Sequence, residues 1–131
     1  MRDVAIALIT TPTQVLITQR RSGDSFPGYW EFPGGTCEPG ESLEQCVVRE
    51  MREELGVTVA VEGSGPEVVH RYPDQTIRLV GFWCRIVSGQ PQVFEAADWR
   101  WITAGELAQY RFPPASGPLI DAVAQRLRGA T

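Results

Sequence analysis

Glu50, Glu53 and Glu54 stand at helical spacing i, i+3 and i+4 within the run Arg49-Glu50-Met51-Arg52-Glu53-Glu54-Leu55-Gly56. At ~100° per residue, the three carboxylates share an arc of about 100°. Val47, Val48, Met51 and Leu55 occupy the neighbouring arc. One stripe can therefore face a core while the next presents the carboxylates together. Like charges at these spacings repel by roughly 0.2–0.5 kcal/mol per pair. A divalent cation would neutralise them, and oxygen-only donors select hard Mg²⁺ or Mn²⁺. The alternative is a solvated acidic face with Arg49 and Arg52 as counter-charges. Two features weigh against it. The acidic stripe adjoins the apolar one, and Gly34-Gly35 and Pro39-Gly40 precede it, a loop that brings bare backbone amides and carbonyls close to a ligand.

The carboxylates need a helix to hold them, and Ser42 to Leu55 is the best helix in the chain. Ser42 with Gln45 three residues later is a capping-box pattern, and Gly56 is a good residue just past the last turn. Around it the β-rich runs come in pairs. Val4–Ile9 and Gln14–Arg21 read as a hairpin across Thr10-Thr11-Pro12-Thr13. Ser22 to Gly35 is rich in Gly, Pro and aromatics and reads mostly as loop. Val57–Glu62 is a strand that Gly63-Ser64-Gly65-Pro66 should break. Glu67–Tyr72 and Thr76–Val87 form a second hairpin around Pro73-Asp74-Gln75. Trp99–Ile102 is a short strand, and Thr103-Ala104-Gly105-Glu106 opens a short helix that Pro113-Pro114 ends. A last helix runs from about Pro118 to Arg128 with Ser116 as a plausible cap, burying Leu119, Ile120, Val123 and Leu127. Hairpin-paired strands with few helices predict an α+β chain, a mixed sheet with helices packed on it.

Bulk properties narrow the function. The 131 residues are one domain's worth, so residues 1–131 are expected to form a single unit. A net charge of −4 argues against a groove for polymeric DNA or RNA. The apolar run Val4–Ile9 is too short to span a membrane. Cys37, Cys46 and Cys84 are an odd number in no metal-binding spacing, and reduced thiols in a cytoplasmic protein are the expectation. No catalytic thiol is expected.

The segment around the carboxylates also resembles a known family. Gly35, Glu41, Arg49, Glu50, Met51, Glu53, Glu54, Gly56 and Val57 match, without a gap, the motif of the Nudix hydrolases. Nine fixed positions in 23 residues make the match highly specific. Ile17-Thr18-Gln19-Arg20, Glu31-Phe32-Pro33-Gly34-Gly35, Tyr72-Pro73-Asp74 and Phe112-Pro113-Pro114-Ala115 resemble the MutT-type subfamily over most of the chain. The resemblance implies the Nudix α/β/α sandwich. It also implies a Mg²⁺-dependent enzyme, with Mn²⁺ able to substitute, that takes a nucleoside triphosphate to the monophosphate and pyrophosphate.

By that resemblance Glu50, Glu53 and Glu54 are metal ligands, joined by the carbonyl of Gly34, and Glu95, in a loop before Trp99, approaches the metals as ligand or as catalytic base. Glu53 or Glu50 takes the water proton, Arg49 orients a carboxylate with Glu41 on the same side, and Arg20 contacts phosphate. The nucleobase pocket lies near Phe32, the Tyr72 hairpin and the Phe112–Leu119 segment. Where the MutT pattern has an Asn that reads the purine edge, this chain has Ser116. A hydroxyl is shorter than an amide, so 8-oxo-dGTP is one candidate substrate and a pyrimidine triphosphate another. Dinucleotides and nucleotide-sugars are a third option. A non-catalytic nucleotide-binding module is the remaining class, and the intact motif disfavours it. The oligomeric state is not readable. His70 and the four tryptophans are expected to be structural.

Overall fold

The computed structural model describes residues 1–129, with side chains to residue 127; residues 130 and 131 lie outside the described part. Its centre is β1 (Arg2–Ile9), whose residues Ala5 to Ile9 are buried on both faces. β1 pairs antiparallel with β4 (Gly34–Thr36) and parallel with β6 (Thr76–Ser88), and β6 pairs antiparallel with β5 (Thr58–Arg71). The order of this mixed sheet is β4-β1-β6-β5. A second sheet, β3-β2-β7, joins Trp30–Glu31, Gln14–Gln19 and Asp98–Thr103.

The strand period sorts the core into two halves. Ala5, Ala7 and Ile9 face α1 (Leu43–Leu55) and pack with Cys46, Val47, Met51 and Leu55. Ile6 and Leu8 face the other way, toward Leu119, Val123 and Leu127 of α2 (Gly117–Gly129). Two alanines under α1 let that helix lie close to the sheet. The result is a sheet layer between helices, the α+β sandwich expected. No described helix is long and apolar enough to cross a membrane.

Two expectations change. β1 and β2 are not a hairpin: they belong to different sheets and meet only in the isolated bridge Thr10–Val15. Both strands are apolar on both faces, and each needs partners that a hairpin with one wet face would not supply. The Gly63–Pro66 stretch does not break its strand. β5 runs through it with register shifts between Val61/Gly63 and Ser64/Glu67. This is an edge strand, where a proline's missing N–H costs little and bulges are tolerated. The Ser22–Gly35 segment is mostly loop, as expected, and carries β3 and the first two residues of β4.

The helix ends follow their sequence cues. Ser42 Oγ accepts from the Gln45 amide at 3.1 Å and Gln45 Oε1 from the Ser42 amide at 2.9 Å. Gly56 closes α1 in the left-handed region, at φ 68°. The Thr103 helix forms as a 3-10 segment, Ala104–Gln109. Ser116 ends a 3-10 turn, Pro114–Ser116, that leads straight into α2.

The cysteines also depart from expectation. Cys84 is a free, buried thiol that burial pushes up to about 12. Cys37, just past β4, and Cys46, in the first turn of α1, are joined as a disulfide with their Cα atoms 5.3 Å apart. Nine residues of separation signal no pairing in sequence. The turn from β4 into α1 brings the two together.

Candidate active site

Arg49 is the hub of the carboxylate cluster. Its Nε donates to Glu41 Oε2 at 2.7 Å and its NH2 to Glu41 Oε1 at 3.0 Å, a two-pronged grip. Its NH1 donates to Glu50 Oε1 and to Glu53 Oε2, each at 3.0 Å, and NH2 also reaches the Thr36 carbonyl at 3.2 Å. One guanidinium therefore ties two helix carboxylates, the preceding loop and β4. The hydrogen bonds from Arg49 hold the Glu41 carboxyl below its ordinary range, and Glu41 in turn raises Arg49. The helix spacing makes this possible, since Arg49 and Glu53 are one turn apart.

Glu54 is in a different situation. It is 7% exposed, and its Oε2 accepts the Gly34 amide at 3.0 Å. Burial first, then repulsion from Glu31, Glu50 and Glu95, pushes its carboxyl up to about 8. Burial also raises Glu50, with Arg49 opposing. Two glycines permit this crowding. A Cβ on Gly35 would collide with the Glu50 carboxyl, and one on Gly34 with the Ala5 carbonyl of β1.

Glu95 arrives from a loop docked on the end of α1. The Phe94 amide donates to the Glu54 carbonyl at 3.1 Å and the Gln92 amide to the Leu55 carbonyl at 2.9 Å. Arg21 NH2 donates to the Phe94 carbonyl at 2.6 Å, and the Phe94 ring lies over Gly56. Glu95 is thereby close enough to raise both Glu50 and Glu54.

A cavity of about 540 Å³ opens from this cluster. Glu31, Gly34 and Gly35 form its carboxylate end, and Phe32, Leu79, Ala115, Ser116 and Leu119 its apolar end. Phe32 is buried against Phe112, with ring centres 5.3 Å apart. Ser116 is 9% exposed. Tyr72, Asp74 and Gln75 from the β5–β6 tip complete the wall, as the sequence suggested. Arg20 lines the cavity but is already engaged: NH1 donates to Glu31 Oε1 at 2.7 Å and Nε to the Ser25 carbonyl. Glu31 is the residue that sequence reasoning missed. It sits between Arg20 and Glu54, and burial raises its carboxyl against the pull of Arg20. A two-residue strand inside a loop-like segment carries no periodic signal to mark it.

The donor chemistry fits a hard divalent cation: oxygens only, from Glu50, Glu53, Glu54 and Glu95, with burial and mutual repulsion to relieve. Glu50 and Glu53 are held on Arg49, and Glu54 on the Gly34 amide. Among the described residues, the one trio of donor atoms within 4.8 Å of one another is Cys37, Glu41 and Cys46, and there the two sulfurs are bonded to each other. His70 packs its ring against that of Tyr72, with centres 4.6 Å apart and planes tilted by 53°.

A carboxylate helix, a glycine-lined strand against it and an adjoining pocket define a metal-dependent phosphohydrolase site. The NUDIX domain matches residues 1–123. The chain is 34% identical over 122 residues to the CTP pyrophosphohydrolase of Escherichia coli K12, covering 93% of this chain and 90% of that one. It is 32% identical over 119 residues to the 8-oxo-dGTP diphosphatase of the same organism, covering 90% and 92%. The solution structure of the E. coli ORF135 protein superposes with a TM-score of 0.83 at 33% identity, over 99% of this chain and 92% of that one. The chain belongs to the Nudix family and is a Nudix hydrolase, an enzyme acting on phosphoric anhydride bonds of nucleoside-diphosphate-linked substrates.

Proposed function

We propose that residues 1–131 act as a single-domain nucleoside triphosphate pyrophosphohydrolase that releases the monophosphate and pyrophosphate and clears oxidised nucleotides such as 8-oxo-dGTP. The observation that carries this reading is the cavity itself, with Glu31, Gly34 and Gly35 at one end, the two glycines backed by the Glu50 and Glu54 carboxylates, and buried Phe32 and Ser116 at the other. A triphosphate would lie with its phosphates on α1 and its base on Phe32. Nudix hydrolases use a divalent metal; here it is Mg²⁺, with Mn²⁺ able to substitute. Glu50, Glu53, Glu54, Glu95 and the Gly34 carbonyl would hold it, and when bound it neutralises phosphate charge and makes water more acidic.

The chain's own residues do the rest. Glu53, half-exposed and paired with Arg49, receives the proton of the attacking water. Glu50 keeps its carboxylate oriented through Arg49, and Arg49 is kept in place by Glu41. Arg20 exchanges Glu31 for a phosphate oxygen as substrate enters. The partner is a small nucleotide, with no role for polymeric nucleic acid or a membrane. The nucleotide pool places the enzyme in the cytoplasm.

A second reading has its own support. Ser116 has one short hydroxyl where an amide would donate and accept at once along a purine edge, and the similarity to a CTP pyrophosphohydrolase spans nearly the whole chain. A pyrimidine triphosphate is then the substrate. Pyrophosphate release from a panel of nucleoside triphosphates, with and without Mg²⁺, tests both. The ranking of kcat/KM separates oxidised purine from pyrimidine, and metal-independent or absent release across the panel overturns the enzyme reading.

A further inference from the structure

The Cys37–Cys46 bond closes a ten-residue ring that contains Glu41, the two-pronged partner of Arg49. At one end of the ring, Thr36 gives its carbonyl to Arg49, and the Cys37 amide donates to the Asp3 carbonyl of β1 at 3.0 Å. At the other, Cys46 lies one turn before Glu50 on α1, with its Sγ 3.7 Å from the Gly35 carbonyl. The loop is thus closed twice, once covalently and once through the Arg49–Glu41 pair. Arg49 also orients Glu50 and Glu53. If the covalent closure opens, Arg49 must hold the loop and both carboxylates alone, against the entropy of a freed loop.

We propose that Cys37 and Cys46 form a reversible thiol–disulfide modification site that sets how firmly the Glu41–Arg49 pair holds the catalytic carboxylates. The proposal rests on the nucleotide hydrolase reading for its functional consequence, and on the geometry alone for its structural one. The burial is asymmetric in a way that suits exchange. Cys46 is fully buried, whereas Cys37 is half-buried and lines an open surface depression with Glu41 and Asp74. A dithiol reductant attacks Cys37 Sγ as its thiolate, the S–S bond breaks and Cys46 leaves as thiolate. A second exchange within the mixed disulfide releases Cys37 and the oxidised, cyclic reductant. Two electrons and two protons pass from reductant to protein, leaving two thiols. A peroxide reverses the change: Cys37 thiolate is oxidised to the sulfenic acid as the peroxide's O–O bond breaks, and Cys46 condenses with it, releasing water. In a reducing compartment such a bond is transient and responds to the thiol poise. Cys84 takes no part, since it is buried in β6 with its thiol held protonated.

The test uses the full chain purified without reductant, then treated with dithiothreitol. Thiol titration in denaturant should find one thiol before treatment and three after. On the best substrate of the nucleotide panel, kcat should fall about fivefold on reduction with KM changed less than twofold, because the ring braces carboxylates and not the base pocket. Air or peroxide reoxidation should restore it. Cys37→Ser should show the lower kcat with or without dithiothreitol, and Cys84→Ser should respond like the parent. The reduced form should also lose more activity with added salt, since an ion pair alone then closes the loop. Three thiols before treatment overturn the bond, and one thiol with equal kcat in both states overturns its coupling to catalysis. If no nucleotide is cleaved in either state, the hydrolase reading fails separately. Amide exchange of residues 36–46 then judges the brace: about tenfold faster exchange on reduction supports it, and unchanged exchange overturns it.

Discussion

The two ends of the cavity are built in opposite ways. Behind the end at Glu31, Gly34 and Gly35 lies one contiguous stretch, Gly34 to Glu54, in which Arg49 holds Glu41, Glu50 and Glu53, the Gly34 amide holds Glu54, and a capped helix and a disulfide frame them. The apolar end is assembled from Phe32, the β5–β6 tip, Leu79 and the Ala115–Leu119 segment, with no ion pair and one buried hydroxyl. Charges need fixed geometry because an unpaired buried carboxylate is costly. An apolar wall needs only shape, so its residues can come from anywhere in the chain and can vary without loss of the chemistry. The hydrolytic step and the choice of nucleotide should therefore respond to different substitutions.

The sharpest test of that division is at Glu54 and Glu53. Changing either to Gln should lower kcat at least about 100-fold, roughly 2.7 kcal/mol of barrier, with the order of preference among nucleotides preserved. A loss under about tenfold would remove the residue from the metal set. The two should differ in metal-free melting temperature. Glu54→Gln should raise it, because a buried, repelled carboxylate is replaced by an amide that still accepts from Gly34. Glu53→Gln should leave it nearly level, because Glu53 is half-exposed and already answered by Arg49.

Gly35→Ala is the next largest effect. The new methyl would displace the Glu50 carboxyl and not backbone, so overpacking on the scale of about 1–3 kcal/mol should appear as an activity loss near tenfold or more. Circular dichroism should show the fold retained. Full activity would mean that Glu50 has room to move and that its placement is unimportant.

The pH response of the metal-free protein should distinguish the two ends without any kinetics. The Glu54 carboxyl, at about 8 in the folded state, lies above the ordinary carboxyl value of 4.5. Between these values the folded chain holds a proton that the unfolded chain has released, so stability must fall as pH rises through this window. Melting temperature in EDTA should therefore decline from pH 5.5 to 8.5, by the equivalent of a few kcal/mol at most. Glu54→Gln should flatten the decline and Ser116→Ala should not. A decline that survives Glu54→Gln would assign the effect elsewhere.

The smallest expected effect is at the base end. Ser116→Asn should raise the ratio of kcat/KM for 8-oxo-dGTP over dGTP by a few-fold to about tenfold, the worth of one added hydrogen bond. The thiol-dependent change in kcat should be the same in this variant as in the parent. An unchanged ratio would leave Ser116 as a turn residue ahead of α2.

What could be read from the residues was local. The periodicity of Ser42 to Gly56, its capping box and its left-handed terminus are short-range properties, so α1 forms where expected and carries Glu50, Glu53 and Glu54 on one side. The two-pronged Glu41–Arg49 contact was legible as a position, since both residues stand in the same motif. Pairing across distance was not. β1 and β2 read as a hairpin because adjacent β-rich runs separated by a turn favour one, but burial on both faces sends them to separate sheets.

The sequence by itself determined the carboxylate helix, its caps and the family of chemistry, because each depends on spacings of three to eight residues and on one helical period. Tertiary structure alone decided that Glu31 stands between Arg20 and Glu54. It also decided that Glu54 is buried enough to hold its proton near neutrality, and that Cys37 meets Cys46. Desolvation and long-range contact are properties of whatever other elements pack against a residue. No window of sequence around that residue contains them.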